Sequence, residues 1–207
     1  MRARPIREPA LCEELARRVI RDYPGRARLI IDGAPPARPD ALADSLATRL
    51  RVEGRPTLRV SARDFLRPAS IRLEHGHTDA DALLSSWLDE SGLRREVLKP
   101  AGPHGSRSVL PRLWDTTVER AFRTNRVELA SNGVLILDGS LLLGRGLPAE
   151  LTVHIRLSDA ALARRTEPEL RWTLPAYERY NRESNPANAD VLVLADDPVR
   201  LALVDDR

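Results

Sequence analysis

Five short strand-like runs in this chain carry Val, Ile and Leu, some of them without interruption, and helical patterns separate them. Leu29-Ile30-Ile31 and Val134-Leu135-Ile136-Leu137 are the densest. "PTLRVSARDF", "LTVHIRLS" and "ADVLVLAD" supply the others. Runs without polar alternation are strands buried on both faces, as in a parallel sheet covered by helices. Strand positions near 28–32, 57–62, 133–138, 151–157 and 190–195 therefore predict an α/β domain, doubly wound around a mainly parallel five-stranded sheet. No internal repeat is visible.

The intervening segments have helical spacing. Leu11, Leu15 and Val19 recur on one face of 8–23, with acids early and arginines late, matching the helix dipole. Leu42, Leu46 and Leu50 do so over 39–51, with Pro39 near the first turn, where a missing N–H is harmless. Helices are also expected near 79–90, 159–166 and 168–183. "LKPAGPHGSRS", 98–108, reads as a loop.

At 207 residues the whole chain, 1–207, is expected to form one domain. A single cysteine, Cys12, excludes an internal disulfide and fits a reducing cytoplasm, the expected location. No apolar run has signal-peptide or membrane-spanning length. Net charge is only +3, acids are interspersed with arginines, and no basic block stands out. That balance argues against nucleic acid and membrane partners. A small-molecule ligand, nucleoside-like or other, is expected, with a homo-oligomer or a protein partner as further options.

In parallel sheets ligands bind at the carboxyl ends of the strands. Three strands here end in acid-bearing segments: Asp32-Gly33, Ser61-Ala62-Arg63-Asp64 and Asp138-Gly139. Asp32, Asp40, Asp64 and Asp138 could gather there, to hold a cation or shift one another's protonation by crowding. The plainer alternative is solvated acids that turn the chain and cap helices. His75 and His77 form an H-x-H pair that could ligate a metal, against a polar loop as the plain reading, and no metal site is assigned. Trp172, Tyr177 and Tyr180 could stack on a flat ligand or simply pack on one helical face. His154, inside a strand pattern, is expected to be packed there.

The order and spacing of several segments resemble the uridine kinase branch of the P-loop kinases, especially the bacterial uridine kinase-like proteins. The resemblance covers roughly residues 10–203. "IIDGAPPARPDALADSL" lies where that family has its strand, phosphate loop and helix. "VSARDFLRP", Leu113-Trp114-Asp115, "NGVLILDGSLLL", "ALARRTEPE" and "ERYNRESNPANADVLVLADDP" match later segments in order. The resemblance implies phosphoryl transfer from ATP, with magnesium, to a nucleoside hydroxyl, and a lid-like region about 159–183. Carried over, the catalytic candidates are Asp64, Asp138 and Arg63. Gly33, Arg38, Asp40, Arg164 and Arg165 face the nucleotide. His77, Tyr177 and Tyr180 face the acceptor.

The departures fall on the phosphate loop. Pro39 stands at the family lysine, Asp40 at its Ser/Thr and Arg38 at the preceding glycine. Prolines at 35, 36 and 39 have no N–H to offer an anion. The only lysine in the chain is Lys99. The loop is therefore expected to form no open phosphate nest, with Pro39 or Asp40 starting the helix. Three readings follow: a degenerate nucleoside kinase-like protein without ordinary ATP-dependent transfer, an atypical active kinase using Arg38, or a different enzyme built on the strand-end acids. ATP and magnesium are expected only under the second. Under the first, the acceptor side, lined by Asp64, Asp138, Arg63 and His77, should survive better than the ATP side.

Overall fold

The computed structural model describes residues 2–204. Its main sheet has seven strands: β1 (Ala3–Ile6), β2 (Ala27–Gly33), β3 (Thr57–Ser61), β4 (Val134–Gly139), β5 (Leu151–Arg156), β6 (Val191–Leu194) and β7 (Leu201–Val204), in the order β1-β7-β6-β5-β2-β4-β3. The five inner strands, β6 to β3, are those expected from the sequence, and their four pairings are all parallel. Four helices matter for the site: α1 (Glu8–Asp22), α2 (Pro39–Val52), α3 (Asp159–Arg165) and α4 (Leu174–Glu183).

Two strands were not legible in the sequence. β1 and β7 add an antiparallel edge, pairing Ala3 with Val204 and Ile6 with Leu201. Each is four residues long and only partly buried, so neither carries a periodic signal. Pro5 is accommodated because β1 is the outermost strand. The helix expected over 79–90 is also shorter, Ala80–Ser85. Asp79 caps it by accepting from the Ala82 amide at 2.8 Å, and Asp89 starts a separate turn by accepting from Gly92 at 2.8 Å. Between them Leu88 bridges to Leu66 and breaks the helical run.

The core is aliphatic. Leu29, Ile30 and Ile31 of β2 and Val134 to Leu137 of β4 are fully buried. Leu42, Leu46 and Leu50 bury one side of α2, and Leu11, Leu15 and Val19 one side of α1, as their spacing predicted. Cys12 lies in this core, and burial pushes its thiol up to about 11, which leaves it an inert apolar filler. No helix among the described residues is long and apolar enough to cross a membrane.

β2 is central, between β4 and β5, and its end sets the geometry of the site. Asp32 lies opposite Gly139 of β4 and His154 of β5. Asp138 lies opposite Ile31 of β2 and Ser61 of β3. Successive side chains of a strand point to opposite faces. Asp32 and Asp138 therefore reach the same edge of the sheet on opposite faces.

Candidate functional site

The loop after β2 carries the chemistry of any phosphate site in such a sheet. Residues Pro35–Ala37 form a turn of 3-10 helix, and α2 begins at Pro39. The Ala37 amide donates to the Ala34 carbonyl at 2.7 Å, and the Arg38 amide to that of Pro35 at 3.0 Å. The Ala41 and Leu42 amides donate to the carbonyl of Arg38. Pro35, Pro36 and Pro39 have no N–H. Arg38 itself is left-handed, φ 57° and ψ 52°, a conformation that glycine adopts without strain.

Asp40 lies in the first turn of α2. The Arg38 Nε donates to its carboxylate at 3.0 Å. Burial pushes the Asp40 carboxyl up, but Arg38 and the amides of Ala41 and Asp40 more than offset this and hold it below the usual carboxylate range. A carboxylate at a helix N-terminus is favourable for the same reason that a phosphate is.

On the α2 face of the sheet, Arg59 of β3 binds Asp138. Its Nε donates to Oδ1 at 2.7 Å and its Nη2 to Oδ2 at 3.0 Å. Arg59 lies opposite Ile136, two residues before Asp138, so both side chains share one face. The same guanidinium donates to Asp44 of α2 at 2.7 Å. Burial raises the Asp138 carboxyl, with Arg59 acting against it. Gly139, next in the chain, has no room for a side chain: a Cβ would stand 2.7 Å from that of Ala62.

On the other face Asp32 anchors a second network. His154 Nδ1 lies 2.7 Å from Asp32 Oδ2, the hydroxyl of Tyr180 donates to the same oxygen at 2.9 Å, and the Leu142 amide donates to Oδ1 at 2.9 Å. The Leu143 amide donates in turn to the Tyr180 hydroxyl at 2.9 Å. Asp32 is fully buried and His154 and Tyr180 nearly so. Burial, and then the charge of Asp32, push the Tyr180 hydroxyl well above its ordinary value, so it remains a donor. Leu141, at the start of the clamped segment, has φ 61°.

Asp32, Asp40, Asp64 and Asp138 thus do not form one cluster. Asp32 pairs with His154 and Tyr180, Asp40 with Arg38, Asp138 with Arg59, and Asp64 accepts from Arg112 at 2.8 Å. Of the two readings of these acids, a single shared cluster is not formed, because the pleat separates Asp32 from Asp138 and each acid has its own partner. No group of three or more His, Cys, Asp and Glu among the described residues is placed to hold a metal ion.

Of the other candidates, Arg63 and His77 are exposed, and His75 with them. Arg165 donates to the carbonyls of Ala195, at 3.0 Å, and Asp196, while Arg164 is exposed. Tyr177 is buried, which pushes its hydroxyl up to about 12, and it lies 3.4 Å from Ser140 Oγ. Trp172 packs against Trp87, ring centroids 5.7 Å apart, rather than joining the tyrosines. Lys99 is on the far side. Its neighbour Leu98 accepts from Arg28, near the start of β2 and five residues before Gly33, about 16 Å along a strand. Sequence reasoning passed over Arg59 and read His154 only as packed in a strand, as it is; what it could not supply was the register that sets each beside an acid of the neighbouring strand.

Comparisons with known proteins agree with this architecture. A protein described as a possible uridine kinase from Bacillus stearothermophilus superposes with a TM-score of 0.71 at 17% identity, covering 87% of this chain and 96% of its own. A protein assigned as a fructose transport system kinase from Silicibacter sp. TM1040 gives 0.62 at 22% identity, covering 94% and 96%. The YGR205w protein gives 0.60 at 11% identity, covering 97% and 100%. No family model and no curated protein sequence matches the chain.

Proposed function

We propose that the chain, which shares the fold of the uridine kinase-like P-loop kinases, is a degenerate nucleoside kinase-like protein that has given up ordinary ATP-dependent phosphoryl transfer and serves a role independent of bound nucleotide. One observation carries the reading: Asp138, the acid at the end of the strand beside the loop, is held at two oxygens by Arg59. A carboxylate engaged in this way, on the side turned to Arg59, is a poor partner for magnesium.

The loop supports the same reading. Phosphoryl transfer depends on positioning and on charge stabilisation of the transferring group. Here the loop amides of Ala37 and Arg38 are spent on carbonyls, and Asp40 places negative charge where the β- and γ-phosphates would come. The residues present do not fit a magnesium triphosphate, and no catalytic step is derived through one.

A second reading is an atypical kinase of uridine type, in which Arg38 supplies the charge of the missing lysine. It is favoured by one fact: the Arg38 side chain is 67% exposed at the mouth of the loop. A phosphotransferase assay separates the two. The wild-type chain, given magnesium ATP and nucleosides, is expected to show no transfer. The Pro39→Lys/Asp40→Ser variant is expected to show none either, because Arg59 still occupies Asp138. A rise of orders of magnitude in that variant would identify a weakened kinase instead.

A further inference from the structure

Residues 108–128 form an antiparallel arm outside the main sheet. Ser108 and Val109 pair with Glu128 and Val127 at its stem, and Trp114 and Asp115 with Ala121 and Arg120 near its tip. The Phe122 amide extends the tip ladder by donating to the Leu113 carbonyl at 3.0 Å. Between the ladders the inner strand takes four steps, Val109 to Leu113, and the outer strand five, Phe122 to Val127. The extra residue makes the outer strand bulge away from its partner.

The inner strand is tied to the body of the protein: the Leu110 amide donates to the Glu96 carbonyl and the Leu113 amide to that of Asp64, both at 3.0 Å. The outer strand is not. From Arg123 to Arg126 no backbone amide or carbonyl is hydrogen-bonded within the described residues, and all but Thr124 are exposed. Arg120 and Arg123 form no ion pair among the described residues, and Arg126 stays 47% exposed beside its partner Glu96. The neighbouring acids are occupied. Arg72 binds Glu119 and Arg107 binds Glu128. Asp115, opposite Arg120, accepts from the Thr117 amide at 2.9 Å. The edge is therefore an open strand with a positive face.

We propose that the edge from Arg120 to Val127 is a docking surface for an extended acidic peptide, which adds a strand to the arm. The peptide backbone pairs with the free donors and acceptors of residues 123–126, and its carboxylates meet Arg120 and Arg123. Val118 at the tip and Val127 at the stem are exposed and give its apolar side chains a place to rest. A second copy of the same edge is disfavoured, because arginines would stand against arginines. A nucleic acid is disfavoured too: phosphates only accept, and would leave the edge carbonyls unpaired. The inference holds whether or not the chain transfers phosphate.

A labelled, capped hexapeptide of alternating glutamate and valine tests this on the full chain. Fluorescence anisotropy should show saturable binding, weakened at least about tenfold by Arg123→Glu. That substitution breaks no hydrogen bond or ion pair of the fold, and Arg120→Glu gives the same test independently. In the complex the amides of Thr124, Asn125 and Arg126 should exchange with solvent at least about tenfold more slowly than in the free chain. Absence of binding, binding indifferent to both variants, or binding that leaves those amides unprotected overturns the proposal. A thymidine tetranucleotide of the same net charge should bind at least about tenfold more weakly. Equal or tighter binding of the tetranucleotide would identify a general polyanion surface and also overturn it.

Discussion

The guanidinium of Arg59 holds both carboxylate oxygens of Asp138, at 2.7 and 3.0 Å, at the edge of the sheet where this fold places its ligands. Asp138 is 2% exposed, so it depends on that partner for its charge. Arg59→Met should therefore lower stability by about 2–3 kcal/mol in urea unfolding, under the full cost of a broken buried pair because Arg59 is partly exposed. Arg59→Met/Asp138→Leu should recover most of the loss. A single variant as stable as the wild type would mean that the pair contributes nothing.

Tyr180 joins α4 to the end of β2 and to the segment after β4. Tyr180→Phe removes its donation to Asp32 and strands the buried Leu143 amide. A loss of about 1–3 kcal/mol is expected. Far-UV dichroism should be unchanged, since only one hydroxyl is removed from an otherwise intact core. An unchanged midpoint would show that the network is not stabilising.

Arg38 holds a left-handed conformation in a loop where glycine would be unstrained. Arg38→Gly removes that strain and loses only an exposed pair with Asp40, 67% and 48% accessible. Exposed pairs contribute little. A net gain of about 0.5–1 kcal/mol is expected, and a loss greater than 1 kcal/mol would contradict the geometry.

Asp196 accepts from the Ser158 amide at 2.7 Å, and this bond first, then Arg165 and Arg164, holds its carboxyl below the ordinary value, with burial acting against them. A lowered folded value stabilises above the unfolded one and is lost as pH falls through the folded one. The stability difference between wild type and Asp196→Asn should be full near neutrality and shrink as pH drops below about 4. A difference that is constant with pH would show that the carboxylate charge is not what the Ser158 amide recognises.

The parallel core was legible because unbroken Val/Ile/Leu runs have few other uses, and the aliphatic spacing of α1 and α2 fixed their buried faces. β1 and β7 were not, because four half-exposed residues at opposite ends of a chain carry no period. The site was legible by residue type and not by pairing. Asp32 and Asp138 both end strands, but only the register shows that the pleat turns them to opposite faces. Arg59 read as one arginine among many, and its meaning comes from standing two residues before Asp138 on the neighbouring strand. His154 read as packing, and the structure adds its buried contact with Asp32.

Isothermal calorimetry of the wild-type chain with ATP and magnesium tests most directly whether its own charges fill the phosphate and metal positions. The expected result is no saturable heat at millimolar nucleotide and no shift in Tm. Micromolar binding that requires magnesium and is abolished by Asp138→Asn would contradict that claim and establish a working nucleotide site.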